Sequence, residues 1–283
     1  MRKYAVIADT SCETTREMTE KYGITYASFK IDIDQTTYVD DENLDLDKYI
    51  EHMNKSPNPI QTSCPSPGEF KEALEENKDA DELFIITISK KLSGTYDSAT
   101  LARNMFIEEN PDKKVYVIDS KSAVAGETNV YLELVKLLDQ NIQFEEIVEK
   151  ITEFVDNMRT LFVLEDLSNL IKNGRMSRPA GMIANMLSIK PVMTANDGEI
   201  ELHELSRGIN NSLNKMVKAV GTFVEDTLDK TIVISHGRAP EKVGKIVDGI
   251  KKAYDFAKIE VIQARGLSSG YAADKGIVIA VEE

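Results

Sequence analysis

The sequence predicts an α/β protein in two parts: a parallel-sheet N-terminal domain over residues 1–158 and a mixed α/β C-terminal domain over residues 159–283. Three observations carry this expectation. Through the first half, short apolar runs alternate with amphipathic segments, the pattern of strand–helix–strand crossovers that build a parallel sheet. In the second half, Ala195-Asn196-Asp197-Gly198 lies between two strand-like runs, which is a hairpin signal and so an antiparallel element. The 283 residues, 42% of them hydrophobic, are enough for one large core or two ordinary ones.

Each element has a local reason. Residues 4–8 are an apolar run ending at Asp9, a strand. Thr10 and Glu13 stand at capping-box spacing and predict a helix to about Tyr22, stopped by Gly23. Residues 24–33 read as a second strand and 46–53 as a short amphipathic helix. The prolines of residues 56–65 forbid a regular element there. Ser66-Pro67-Gly68-Glu69 then opens a helix, with Ser at the N-cap, Pro at the first position and Glu three residues on. A buried-type strand follows at 83–88, then Lys91-Leu92-Ser93-Gly94-Thr95-Tyr96 and a helix to about Glu109. Residues 115–118 are a strand ending at Asp119-Ser120, with helices at about 124–138 and 144–158.

In the second half, 160–164 reads as a strand and 167–172 as a helix ending at Asn173-Gly174. Ser177 and Pro179 suit the start of a helix running to about residue 187. Strands at 192–194 and 199–205 flank the hairpin turn. A long helix at about 209–227, a strand at 231–235, a helix at 240–256 and strands at 258–263 and 276–281 complete the chain.

Composition narrows the function. With 48 acidic and 34 basic residues the formal net charge is −14, a field that repels nucleic acid and anionic membrane surfaces. No stretch approaches the roughly 20 apolar residues that span a bilayer, so no stable membrane insertion is expected. Met1-Arg2-Lys3-Tyr4 runs into a strand without the apolar block of a signal peptide, and a cytoplasmic address is the expectation. Cys12 and Cys64 form no CxxC pair and read as free thiols. Neither phosphate-loop nor dinucleotide glycine motifs occur, and Ser93 is not in a G-x-S-x-G elbow. The histidines, His52, His203 and His236, do not pair at metal-ligand spacing, so neither a metal nor a cofactor is expected.

The residues that remain sit at strand ends. In open parallel sheets ligands bind beyond the carboxyl ends of the strands. Asp9-Thr10-Ser11, residues 89–95 and Asp119-Ser120-Lys121 all fall at that edge. Ser93-Gly94-Thr95 marks a loop becoming a helix, where free N–H groups and a hydroxyl suit an oxyanion. Ser93 equally suits a helix cap, and one residue can do both. Thr62-Ser63 reads locally as a connector. Arg175 follows Gly174 and Arg207 precedes Gly208, outside any charge run; each is either a solvated arginine or a grip on phosphate or carboxylate. Residues 181–187, with Met182, Ile183 and Met186, form either an ordinary buried helix or the wall of an apolar tunnel.

Taken as a set, these motifs resemble the DegV family. Asp9-Thr10-Ser11 is similar to its D-S-T/S opening, Thr62-Ser63-Cys64-Pro65-Ser66 to its T-S-Q-P-S loop, and residues 92–99 to L-S-G-T-Y-Q-S-A. Asp119-Ser120-Lys121, Asn173-Gly174-Arg175-Met176 and Lys190-Pro191 match later family elements in order and spacing. The resemblance implies a two-domain α/β fold with a long-chain fatty acid between the domains. It implies that the Thr62 and Ser93 hydroxyls, with N–H groups around Ser63, Gly94 and Thr95, hold the carboxylate while the tail lies in an apolar tunnel. Family members serve as the non-catalytic lipid-binding subunit of bacterial fatty acid kinase, presenting the carboxylate to a separate ATP-dependent kinase subunit that forms an acyl phosphate. Arg175 and Arg207 look like the arginines that face the phosphate or that partner.

The sequence departs from the family at one place of consequence. Where members often carry G-T-H-T-G-P-G, this chain reads Gly266-Leu267-Ser268-Ser269-Gly270-Tyr271-Ala272; the His is absent, and Ser268 or Ser269 is the candidate substitute. Cys64 also replaces the usual Gln, and Lys90-Lys91 precede Leu92. Two rival readings stay open: a lipid-responsive interaction protein without a phosphorylation role, and a self-sufficient hydrolase using Ser93 or Cys64.

Overall fold

The computed structural model describes residues 4–176, 189–272 and 274–283. The first half runs β1 (Tyr4–Asp9), α1 (Arg16–Thr19), β2 (Thr25–Ala27), β3 (Lys30–Ile33), β4 (Thr36–Val39), α2 (Leu46–Lys55), β5 (Gln61–Ser63), α3 (Pro67–Glu76), β6 (Glu82–Thr87), α4 (Thr95–Glu109), β7 (Lys114–Asp119), α5 (Ala125–Asp139) and α6 (Phe144–Asn157). The second half runs β8 (Met158–Val163), α7 (Ser168–Lys172), β9 (Val192–Asn196), β10 (Glu199–Glu204), α8 (Ile209–Phe223), β11 (Thr231–His236), α9 (Pro240–Ala253), β12 (Lys258–Gln263), α10 (Gly266–Ala272) and β13 (Ile277–Glu282).

The fold is α/β, as the alternation predicts. β2-β1-β6-β7 form an all-parallel sheet. β10-β9-β8-β13-β11-β12 form a mixed sheet in which β11 and β12 pair in parallel and the other pairs are antiparallel. A small antiparallel sheet, β4-β3-β5, stands beside them. One buried cluster joins Ala8 and Phe84 of the parallel sheet, Tyr131 of α5 and Phe162 and Val278 of the mixed sheet, so the two halves share a core.

Two local signals act as their chemistry requires. Ser66 caps α3: its Oγ accepts the Glu69 N–H at 3.3 Å, and Glu69 Oε2 accepts the Ser66 N–H at 2.8 Å. The β9–β10 hairpin turns through Asp197 and Gly198, at φ +44° and +83°, the paired left-handed conformations of a two-residue type I′ turn.

Other expectations are corrected. Thr10 and Glu13 form no capping box: α1 is one turn capped by Thr15, and the Glu13 side chain is buried against the second half. Residues 24–33 make two strands in two sheets, because the chain turns where Phe29 N–H donates to Thr10 Oγ1 at 3.1 Å. The proline-rich segment contains β5, three residues fitted between prolines and paired with β3. α8 and α9 end at Phe223 and Ala253, short of the expected 227 and 256. Residues 266–272 are the helix α10. The expected helix from Ser177 and Pro179 lies outside the described residues. Among the described residues no helix is long and apolar enough to cross a membrane.

Candidate ligand cavity

A cavity of about 110 Å³ opens at the carboxyl ends of β1, β6 and β7, between the parallel and mixed sheets. At about 10–15 Å³ per water-sized position, it has room for several such positions. Strand periodicity builds its far wall. In and just after β8, Thr160, Phe162 and Leu164 face the cavity, while Leu161 and Val163 point to the opposite face and pack with α8. Ile88 and Leu92 after β6, and Ala123 and Val124 after β7, supply the near wall.

The near wall is held by a lattice of strand-end hydrogen bonds. Asp9 accepts the N–H groups of Ser11 at 2.9 Å and Ile88 at 2.7 Å, fastening the end of β1 to the end of β6. Ser11 Oγ accepts the Val124 N–H at 3.1 Å. Val124 sits at φ +59°, a costly conformation for a β-branched residue, at the edge of the cavity. Ser122 Oγ and Thr160 Oγ1, 2.7 Å apart, tie that loop to the mixed sheet.

Of the residues singled out in the sequence, the cavity gathers Ser11, Thr62, Ser93, Arg175 and Ser268. Thr62 is on β5, and Ser93 is on the loop entering α4. The two segments abut: a Cβ on Gly94 would lie 3.9 Å from Cys64 Sγ. Ser93 does not cap α4, whose N-cap is Gly94 without a side-chain bond; its hydroxyl pairs with Thr95 Oγ1 at 2.8 Å. Arg175 leaves α7 through the left-handed Gly174, and its guanidinium donates to the carbonyls of Leu92 at 3.2 Å and Asn173 at 2.6 Å. It thereby fixes the peptide that precedes Ser93. Ser268 is buried in the wall; its hydroxyl lies close enough to favour the charged form of Glu13 but makes no hydrogen bond of normal geometry.

The other candidates lie off the cavity wall. Ser63 and Gly94 are exposed, Thr95 is buried behind Ser93, and Arg207 is exposed. Ser269 Oγ donates to the Ala264 carbonyl at 3.3 Å. Met182, Ile183 and Met186 lie outside the described residues.

Tyr271, on α10, was not foreseen in the sequence. Its hydroxyl lies 2.8 Å from Thr62 Oγ1, directly across the two halves. Glycines allow this approach: a Cβ on Gly270 would stand 2.4 Å from the Tyr49 hydroxyl, and one on Gly266 2.4 Å from Leu44 Cδ2. The spacing of Gly266 and Gly270, one helical turn apart beside an aromatic, is the signal that could have found it. Asp40 fixes the start of α10, its two oxygens accepting the N–H groups of Gly266 at 3.0 Å and Leu267 at 2.9 Å.

Below the cavity the interior is acidic. Burial pushes the Asp9, Asp40 and Glu127 carboxyls above their ordinary range, and burial pushes Glu13 up to about 7. Both Glu127 oxygens are buried without a hydrogen bond of normal geometry, against Asp9 and Ser11. Among the described residues no cluster of His, Cys, Asp and Glu is arranged to hold a metal ion.

A parallel sheet and a mixed sheet closing on an apolar cavity with hydroxyls in its wall define an α/β protein with an internal compartment at its strand ends. The chain belongs to the DegV family, whose family model matches residues 3–277. A DegV domain-containing protein of Streptococcus pneumoniae strain R6 is 33% identical over 287 residues, 99% of both chains. A DegV family protein of Ruminococcus gnavus, solved with vaccenic acid, superposes with a TM-score of 0.93 at 32% identity, over 99% of this chain and 100% of that one. The fatty acid kinase (Fak) B3 protein of Streptococcus pneumoniae, solved loaded with linoleic acid, superposes with a TM-score of 0.91 at 30% identity, over 100% of this chain and 99% of that one.

Proposed function

We propose that this chain binds a long-chain fatty acid between units spanning residues 1–158 and 159–283, and presents its carboxylate to a separate ATP-dependent kinase subunit for acyl phosphate formation. The observation that carries the reading is that Thr62 and Ser93, from two separate segments, both line one apolar cavity. Burying an alkyl chain there is favourable by roughly 0.8 kcal/mol per CH₂. A carboxylate taken into the same space must be hydrogen-bonded, and hydroxyls with N–H groups from the start of α4 meet that need. The likeness to proteins solved with vaccenic and linoleic acids supports the ligand class. The likeness to a fatty acid kinase component, together with the missing nucleotide motifs, supports the partner. Exposed Arg207 is assigned to the surface that meets this partner, and Arg175 to the loop beside the head group. In this reading the chain works in the cytoplasm, carries no cofactor and is not catalytic by itself.

A hydrolase built on Ser93 would need a base to take its proton. Among the described cavity-lining residues there is no His, Asp, Glu or Lys, which disfavours that rival.

Native mass spectrometry of the purified chain tests the first step: a bound fatty acid is expected, and an empty protein that takes up no labelled fatty acid overturns the reading. Ser93→Ala is expected to weaken binding about tenfold, the loss of one hydrogen bond to a charged group. Adding an ATP-dependent fatty acid kinase subunit and ATP tests the second step. Good lipid binding without any acyl phosphate would favour an interaction role over a kinase role.

A further inference from the structure

We infer that Tyr271 is a head-group ligand, and that its hydroxyl makes the site discriminate a fatty acid from an uncharged long-chain lipid. The inference rests on the fatty-acid reading above and adds a residue to it from the second half of the chain.

The geometry is specific. Tyr271 and Thr62 face the same cavity from opposite halves, with their hydroxyl oxygens 2.8 Å apart. The ring has little freedom, because it packs against both the shared core and the cluster under the small sheet. Its helix is pressed against the first half through Gly266 and Gly270 and clasped by Asp40. The hydroxyl is therefore set in place before any ligand arrives.

The chemistry follows from counting protons. In the Thr62–Tyr271 pair one hydroxyl donates to the other, so one of the two protons is engaged within the protein. A carboxylate accepts through two oxygens and donates nothing. When it enters, both hydroxyls can turn their protons to it, exchanging a neutral hydrogen bond for two charge-assisted ones. The rest of the wall increases the dependence on these hydroxyls. Arg175 is the one cation among the described lining residues, and two of its donors are engaged by the Leu92 and Asn173 carbonyls. Neutral hydroxyls share the charge with the donors Arg175 has left, and each one omitted costs a buried anion more than it costs an ester.

The test uses the full-length, delipidated chain titrated with oleate and with methyl oleate, in wild type, Tyr271→Phe, Thr62→Val and the double variant. Phe keeps the ring and its packing, and folding is checked by circular dichroism. Tyr271→Phe is expected to weaken oleate binding about ten- to a hundredfold, the range of a hydrogen bond to a charged group. Methyl oleate should change by less than about threefold. Thr62→Val should repeat the pattern, and the double variant should lose less than the product of the two single losses, because both hydroxyls serve one carboxylate. Unchanged oleate binding in Tyr271→Phe overturns the assignment. Equal losses for acid and ester overturn it too, leaving Tyr271 as a packing contact. Wild type that binds neither lipid removes the fatty-acid reading, and this inference with it.

Discussion

The Glu13 carboxylate accepts a hydrogen bond from the Ser235 hydroxyl at 2.8 Å, joining side chains 222 positions apart in the interior. Its other oxygen accepts the Arg265 N–H at 2.6 Å, just before α10. A carboxyl of the first half thus holds both β11 and the segment that delivers Tyr271.

Stability should depend on pH with an unusual sign. Burial raises Glu13 from its ordinary 4.5 to about 7, and Asp9, Asp40 and Glu127 shift in the same direction. The native state therefore binds more protons than the unfolded chain between about 4.5 and 7, and stability falls as pH rises through that window. Below it, carboxylates that are held under their ordinary value begin to cost stability; Glu165, partly buried but paired with Lys242 and Lys190, is one. Thermal unfolding followed from pH 4 to 8 should show its maximum near pH 5. A maximum above pH 7 would contradict this account.

Glu127→Gln should flatten the alkaline side of that profile. Glu127 sits against Asp9 without a well-formed hydrogen bond, so the pair cannot carry two charges there comfortably. The neutral amide removes one titration. A gain on the order of 1 kcal/mol at pH 8, with little change at pH 5, is expected from denaturant melts. A loss at both pH values would show that the amide cannot be accommodated.

Gly270→Ala should loosen the fold and the head-group site together. The added methyl would meet the Tyr49 hydroxyl at 2.4 Å and Ile60 Cδ1 at 2.7 Å. Overpacking of this kind costs about 1–3 kcal/mol. Differential scanning calorimetry should record a lower Tm, and oleate affinity should fall because Tyr271 is displaced from Thr62. Retention of wild-type affinity would separate the helix position from binding.

Ligand removal should destabilise the chain. Leaving the cavity of about 110 Å³ unfilled costs roughly 2–3 kcal/mol, at about 24 cal/mol per Å³. Delipidated protein should melt several degrees below protein saturated with fatty acid. Equal melting temperatures would argue against an alkyl chain in that space.

Local chemistry was legible in the sequence wherever partners lie close along the chain. The Ser66 cap, the Asp197-Gly198 turn and the parallel sheet all follow from short-range patterns. So does the place of Ser93 at a strand end beside the cavity. Glu13 was misread because Thr10-x-x-Glu13 has the spacing of a cap, whereas its hydrogen-bond partners are Ser235 and Arg265, more than 220 residues away. Tyr271 was missed for the same reason: its meaning depends on Thr62, 209 positions away.

The hairpin of the mixed sheet has a mechanical consequence. Its tip is locked onto the first half, with Ser89 Oγ donating to the Gly198 carbonyl at 2.9 Å and no room for a Cβ on that glycine. The Ser89 carbonyl in turn accepts the N–H groups of Leu92 at 2.9 Å and Ser93 at 3.1 Å. Lys91 with Glu199 at 3.2 Å and Lys121 with Asp197 at 2.7 Å fasten the same tip, so the hairpin and the loop that carries Ser93 are joined at several points and should melt as one unit.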